Sequence, residues 1–157
     1  MKPRYVIGIV CLCLILTAIA GFVVIDRQHK DAYQTLVTAK GFFYSSIGIT
    51  GSDMPESVHA FKNLYFSSRA KDYFLQLANE GTDAGKLYAL CGLYHLDKQA
   101  FNTLIEECQC ITTSIPGGSG CRAYNTPMDQ IILSITPPEY DILHSKIPQE
   151  LLTYISN

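Results

Sequence analysis

Cys91 and His95 lie four residues apart in KLYALCGLYHLDKQAF, residues 86–101. On a helix that spacing puts a thiol and an imidazole on the same face. Three chemistries can use such a pair. With Cys108 and Cys110 it supplies the ligand types of a Cys3His zinc site, but C-x-C is a poor spacing for one and leaves Cys121 over. A nucleophilic cysteine activated by the histidine is the second. It needs an accessible, electropositive setting, whereas this run is apolar on nearly every side. The third is oxidation to disulfides.

The disulfide reading uses Cys91, Cys108, Cys110 and Cys121, an even set that permits three pairings. A Cys108–Cys110 bond closes a strained ring. That leaves Cys91–Cys108 with Cys110–Cys121, or Cys91–Cys110 with Cys108–Cys121. A bond across residues 111–120 would staple a glycine-rich segment that costs entropy to order. These four cysteines are therefore the candidate site residues, with Cys91 otherwise a small buried hydrophobe. No catalytic residue, metal or cofactor is expected.

The other reactive residue types are dispersed. His59 and His144 are isolated, and Glu106 and Glu107 are adjacent on a helix and so diverge. GGSG at 117–120 lacks the lysine and the Ser/Thr of a phosphate loop. Tyr65, Tyr73, Tyr88, Tyr94 and Tyr124 could line a sugar- or peptide-binding cleft, since each offers an apolar body with a polar tip. In a chain without tryptophan, core filling is the stronger reading of them.

The elements that would position these groups are mostly helices. Residues 26–39 can form a helical stalk with Ala32, Leu36 and Ala39 on one face and Tyr33 and Val37 beside it. Residues 41–54 read as loop or short extended structure. A helix follows from Asp53 or Met54, with Asp53 as cap, Pro55 in the first turn, and Val58, Phe61, Leu64 and Tyr65 on one stripe. Ser67-Ser68 marks a break and a new cap. RAKDYFLQLANE then faces Tyr73, Phe74, Leu77 and Ala78 inward and ends at Gly81.

Thr82 or Asp83 opens the segment holding Cys91. Leu87, Leu90, Cys91 and Tyr94 form its main stripe, and Tyr88, Ala89, Leu93 and Leu96 extend the apolar surface around it. Such a helix belongs at the centre of its domain. Gly92 lowers its helix propensity by up to about 1 kcal/mol, which close approach of a neighbouring helix would offset. Asp97 opens the next helix, with Ala100, Phe101, Leu104, Ile105 and Cys108 inward. Residues 111–127 read as loop, 128–136 as strand or short helix, and two further segments follow Pro137-Pro138 and Pro148.

The N-terminus points to a membrane. Residues 5–25 carry no charge, enough to cross the roughly 30 Å hydrocarbon core as a helix. Ala18-Ile19-Ala20 also fits a signal-peptidase site, so a secreted, cleaved product is an alternative. The apolar run continues beyond that site, which favours an uncleaved anchor. Lys2 and Arg4 precede it, and a short basic N-terminus ahead of a first span favours placing residues 26–157 outside the cytoplasm. Past residue 25, ten Lys and Arg stand against fourteen Asp and Glu, since Lys2 and Arg4 are the other two of the twelve basic residues. No basic stripe exists to neutralise phosphates, which argues against nucleic-acid binding.

Within residues 67–107, DAGKLYALCGLYHLDKQAFNTLIEE resembles a HEAT-type helical repeat. The likeness rests on Ala89, Leu90 and Gly92 in a first helix, Asp97 at the turn, and Leu104, Ile105 and Glu106 closing a second. It covers about a quarter of the chain as one unit. The phrase LYALCGLY is also similar to small uncharacterised bacterial envelope proteins. The HEAT-like resemblance implies packed helices and protein binding.

The expectation is a mainly α chain: a transmembrane segment (1–25), a helical stalk (26–40) and a small extracytoplasmic domain (41–157) built on an αα-hairpin with a cysteine-bounded loop. The expected role is a non-catalytic scaffold or interaction domain at the membrane, its partner another envelope protein. An enzyme or ligand-binding protein with a tyrosine-lined cleft is the alternative.

Overall fold

The computed structural model describes residues 21, 24–47, 54–120, 122–135 and 151. The chain is mainly helical, with one small sheet. Helix α1 runs over residues 24–37. Strand β1 (Phe42–Ile47) follows, then α2 (Glu56–Tyr65), α3 (Ala70–Glu80), α4 (Asp83–Leu96) and α5 (Lys98–Cys108). Strands β2 (Ser114–Gly120) and β3 (Arg122–Pro127) lead into α6 (Met128–Ile135). Among the described residues no helix is long and apolar enough to cross a membrane. Most of the apolar run 5–25 lies outside the described residues, as do Asp53, Cys121, His144 and the segments around Pro137-Pro138 and Pro148.

Helix α4 is the axis of the core. Ala84, Gly85 and every residue from Leu87 to Leu93 are buried, as its unbroken apolar circumference requires. Its start is fixed by Thr82, whose hydroxyl accepts the Gly85 N–H at 3.2 Å and donates to the Ala39 carbonyl at 2.6 Å. The Thr82 N–H bonds the Val37 carbonyl at 3.1 Å, so one residue caps α4 and ties it to the end of α1. Ala32, Tyr33, Leu36 and Ala39 carry the buried face of α1.

Glycine lets α3 lie close along α4. A Cβ on Gly92 would stand 2.5 Å from the Phe74 ring, and one on Gly85 would meet the Leu36 carbonyl at 2.7 Å and Leu77 at 3.4 Å. The two glycines are seven residues apart, on one face. The propensity lost at Gly92 is thus offset by contact with a neighbouring helix. Aromatic rings fill the space between α2, α3 and α4. Phe61 lies 5.2 Å from Phe74 and 6.1 Å from Tyr88, and Phe42 of β1 lies 4.9 Å from Tyr88.

Asp97 joins α4 to α5. Its carboxylate accepts the N–H groups of Gln99 and Ala100 at 3.1 and 3.0 Å. It also meets Lys71 Nζ at 2.7 Å, which holds the start of α3 against the α4–α5 turn. The α2–α3 break is capped differently from expectation. Arg69 is the N-cap and makes no side-chain cap bond, while Ser67 Oγ accepts the Arg69 N–H at 3.2 Å within the preceding turn.

The sheet corrects the expected loop at 111–127. β2 is central, antiparallel to β3 and parallel to β1. A proline and several glycines read locally as loop, and tertiary packing overrides that reading. Pro116 sits just before the first β1–β2 partners, Phe42 and Gly117. A side chain on Gly117 would collide with the Phe42 carbonyl and the Tyr124 ring, so glycine is what allows three strands and Tyr124 to share that level. Residues 128–135 are helical, and Met128, Ile131, Ile132 and Ile135 join the same core as Leu151.

Candidate functional site

Among the described residues the cysteines and histidines do not assemble into a site. The expected bonds to Cys121 lie outside the described residues, and among those described Cys91, Cys108 and Cys110 are not joined to one another, the first two buried and the third exposed. The packing gives the reason. Cys108 lies in the field of Lys86 and Asp83, near the start of α4, while Cys91 sits in its second half. Cys91 and Cys108 are thus offset along the axes of α4 and α5. Among the described residues no three His, Cys, Asp or Glu side chains converge as metal ligands.

Nor is Cys91 an activated nucleophile. Burial pushes its thiol far up, which keeps it protonated. His95 is exposed, and its imidazole is held below the usual value by partial burial and then by Lys98, with no contribution from Cys91. Burial also raises the Cys108 thiol to about 11.

The tyrosines divide between separate places. Tyr65 packs edge-on against Phe66 at 5.4 Å, and Tyr94 against Phe101 at 5.2 Å. Tyr73 lies 6.0 Å from Tyr33, whose hydroxyl donates to Glu80 Oε2 at 2.8 Å. Burial and that bond raise the Tyr33 phenol to about 12. Tyr124, its phenol pushed up by burial, hydrogen-bonds Tyr44 across the sheet. Tyr88 is fully buried, and its hydroxyl serves Phe43 of β1.

A groove of about 300 Å³ lies between α3 and α5, with α4 beneath it. Leu75, Leu93 and Leu104 give it an apolar floor. Ala78 and Ala100, small residues on facing helices, leave it open. Asn79, Gln99, Thr103 and Glu107 line its edge, and Asp97 closes one end. Asp97 is held below the usual carboxylate range, first by the Ala100 N–H and then by Lys71, so it stays anionic. The lining includes two carboxylates and no Lys or Arg. The inward residues Ala78 and Ala100 were legible in sequence, and exposed Glu107, which diverges from Glu106, borders the groove.

A wider recess of about 570 Å³ lies between the end of α1, β1 and the start of α2. Two of its hydroxyls are spent on their own helix: Thr35 donates to the Asp31 carbonyl at 3.1 Å and Thr38 to that of Gln34 at 2.8 Å. The α3–α5 groove spends polar groups in the same way, since Thr103 donates to the Gln99 carbonyl at 3.2 Å and Asn79 to that of Leu75 at 3.0 Å.

Comparison with protein-family models, with curated proteins and with solved structures finds no significant match.

Proposed function

We propose that the chain is a membrane-anchored interaction domain that receives a short amphipathic segment of another envelope protein in the α3–α5 groove. The observation that carries this reading is the groove itself. An apolar floor between two helices, rimmed by amides, a hydroxyl and carboxylates, suits a helix that lays an apolar stripe inward and keeps polar residues at its margins. Asp97 is already paired with Lys71, so Glu107 is the rim charge that favours a partner bearing Lys or Arg at that margin. The HEAT-like resemblance of residues 67–107 supports the same role. Membrane attachment through residues 5–25, with the domain outside the cytoplasm, is part of the proposal and rests on the apolar run and its basic flank.

The test is affinity capture from detergent-solubilised native membranes with the full chain. Ala78→Trp should fill the groove and lose a partner that the wild type retains. A matching substitution at exposed Thr112, away from the groove, should leave it bound. If Ala78→Trp and the wild type retain the same partners, the groove is not the docking surface.

A further inference from the structure

Five large apolar side chains are exposed among the described residues: Val24, Ile25, Phe66, Leu96 and Leu133. Four of them gather at one end of the helical bundle. Val24 and Ile25 open α1. Phe66 begins the α2–α3 turn, and Ser67, Ser68 and Arg69 of that turn share a small cleft with Ile25 and His29. Leu96 ends α4, and the adjacent Asp97 is held by Lys71 in the first turn of α3. Phe66, at 60% exposed, is the most open of the four. Leu133, on α6, is the exception.

Val24 and Ile25 are themselves the last residues of the apolar run 5–25, so Phe66 and Leu96 are the two exposed side chains at this end that the run does not account for. Scattered exposed hydrophobes need no explanation, but a cluster at the mouth of a membrane-length apolar segment does. The chemistry around it fits the water–lipid boundary. Tyr65 stands against Phe66, Lys98 lies 4.8 Å over the Tyr94 ring beside Leu96, and Arg69 lies 5.4 Å over the Tyr73 ring. Amphipathic aromatic rings concentrate at that boundary, and long basic side chains can extend from it towards headgroups.

We infer that this end of the bundle is a seat on the bilayer: Phe66 and Leu96 enter the lipid interface beside the chain's own span, and Arg69 and Lys98 lie at headgroup level. The inference rests on the anchored reading and adds an orientation to it. α1, α3 and α5 then rise from the membrane, so the groove between α3 and α5 runs along the membrane normal. A partner entering it would present a juxtamembrane segment.

The absence of tryptophan allows a direct test. Phe66→Trp and, at the far end of α5, Gln109→Trp each give the full chain one reporter. Reconstituted into phosphatidylcholine–phosphatidylglycerol vesicles with brominated acyl chains, Phe66→Trp should show blue-shifted, quenched emission, and Gln109→Trp should show neither. A Ser68→Trp reporter guards against tryptophan at position 66 creating the contact by itself. Its quenching should be lost when Phe66→Asp and Leu96→Asp are added. Three results overturn the inference. One is unquenched Phe66→Trp in a chain that still floats with the vesicles, which leaves the anchor standing. Another is equal quenching at Gln109→Trp, or quenching that survives both aspartates. The third is failure of the chain to float, which removes the anchor and the seat together.

Discussion

The Tyr88 hydroxyl occupies both backbone groups of Phe43, accepting its N–H at 2.8 Å and lying 2.9 Å from its carbonyl. Ser57 Oγ stands 2.8 Å away and completes the cluster. In a strand, one residue's N–H and C=O point to the same side, and β1 has β2 on only one of its sides. The phenol therefore stands where another strand would, closing part of an edge from within the core. A central helix is pinned to the sheet by one oxygen.

Removing that oxygen strands polar groups in a buried place. Tyr88→Phe should destabilise the fold by about 3 kcal/mol, given roughly 1–3 kcal/mol per orphaned group. Ser57→Ala should cost less, because Phe43 keeps its partner. Urea midpoints of the full chain in detergent compare the two. Equal costs would show that the Phe43 contact carries no special weight.

Gly92→Ala sets two effects against each other. Alanine improves helix propensity by up to about 1 kcal/mol, but its methyl would meet the Phe74 ring at 2.5 Å. The clash should prevail, with a net loss of about 1–3 kcal/mol, as overpacking costs. Phe74→Leu creates space at the same point, so the double variant should lose less than the two single losses added. Strict additivity in thermal unfolding would refute the contact.

Acid should weaken the α4–α5 corner. The Asp97 carboxyl is held below its usual range, first by the Ala100 N–H and then by Lys71. Its contribution is then present above the unfolded carboxylate pKa and disappears as pH falls through the folded one, below about pH 4. Asp97→Asn still accepts the α5 N–H groups but loses the charge. Its melting temperature should fall less steeply than that of the wild type across that window. Parallel curves would mean that Asp97 is not linked to stability.

The thiols should react in order of exposure. Cys110 is open, whereas burial keeps Cys91 and Cys108 protonated at neutral pH. Maleimide on the native chain, followed by peptide mapping, should label Cys110 readily and Cys91 only after unfolding. Rapid native labelling of Cys91 would contradict its place at the centre of α4.

Much of the helical core was legible in sequence. The stripes Val58–Phe61–Leu64 and Phe101–Leu104–Ile105–Cys108 became buried faces. Thr82 and Asp97 became caps because their short oxygens reach orphan N–H groups. These features are local, and a periodic pattern reports them. The sheet is not local. β1 and β2 pair across four helices, and SIPGGSG has the composition of a turn. Its strand character comes from Tyr124 and the Phe42 carbonyl, which need Gly117 between them. The cysteine pattern left the pairing open for a related reason. An even count says nothing about which turn of which helix each thiol occupies. The groove was hidden because it is made by what Ala78 and Ala100 lack.

A photo-crosslinking amino acid at position 100 of the full chain, in intact membranes, tests the central claim most directly. The account predicts one discrete adduct from position 100, lost when Ala78→Trp fills the groove, and none from the same probe at position 112. No adduct from position 100, or the same adducts from both positions, would contradict it.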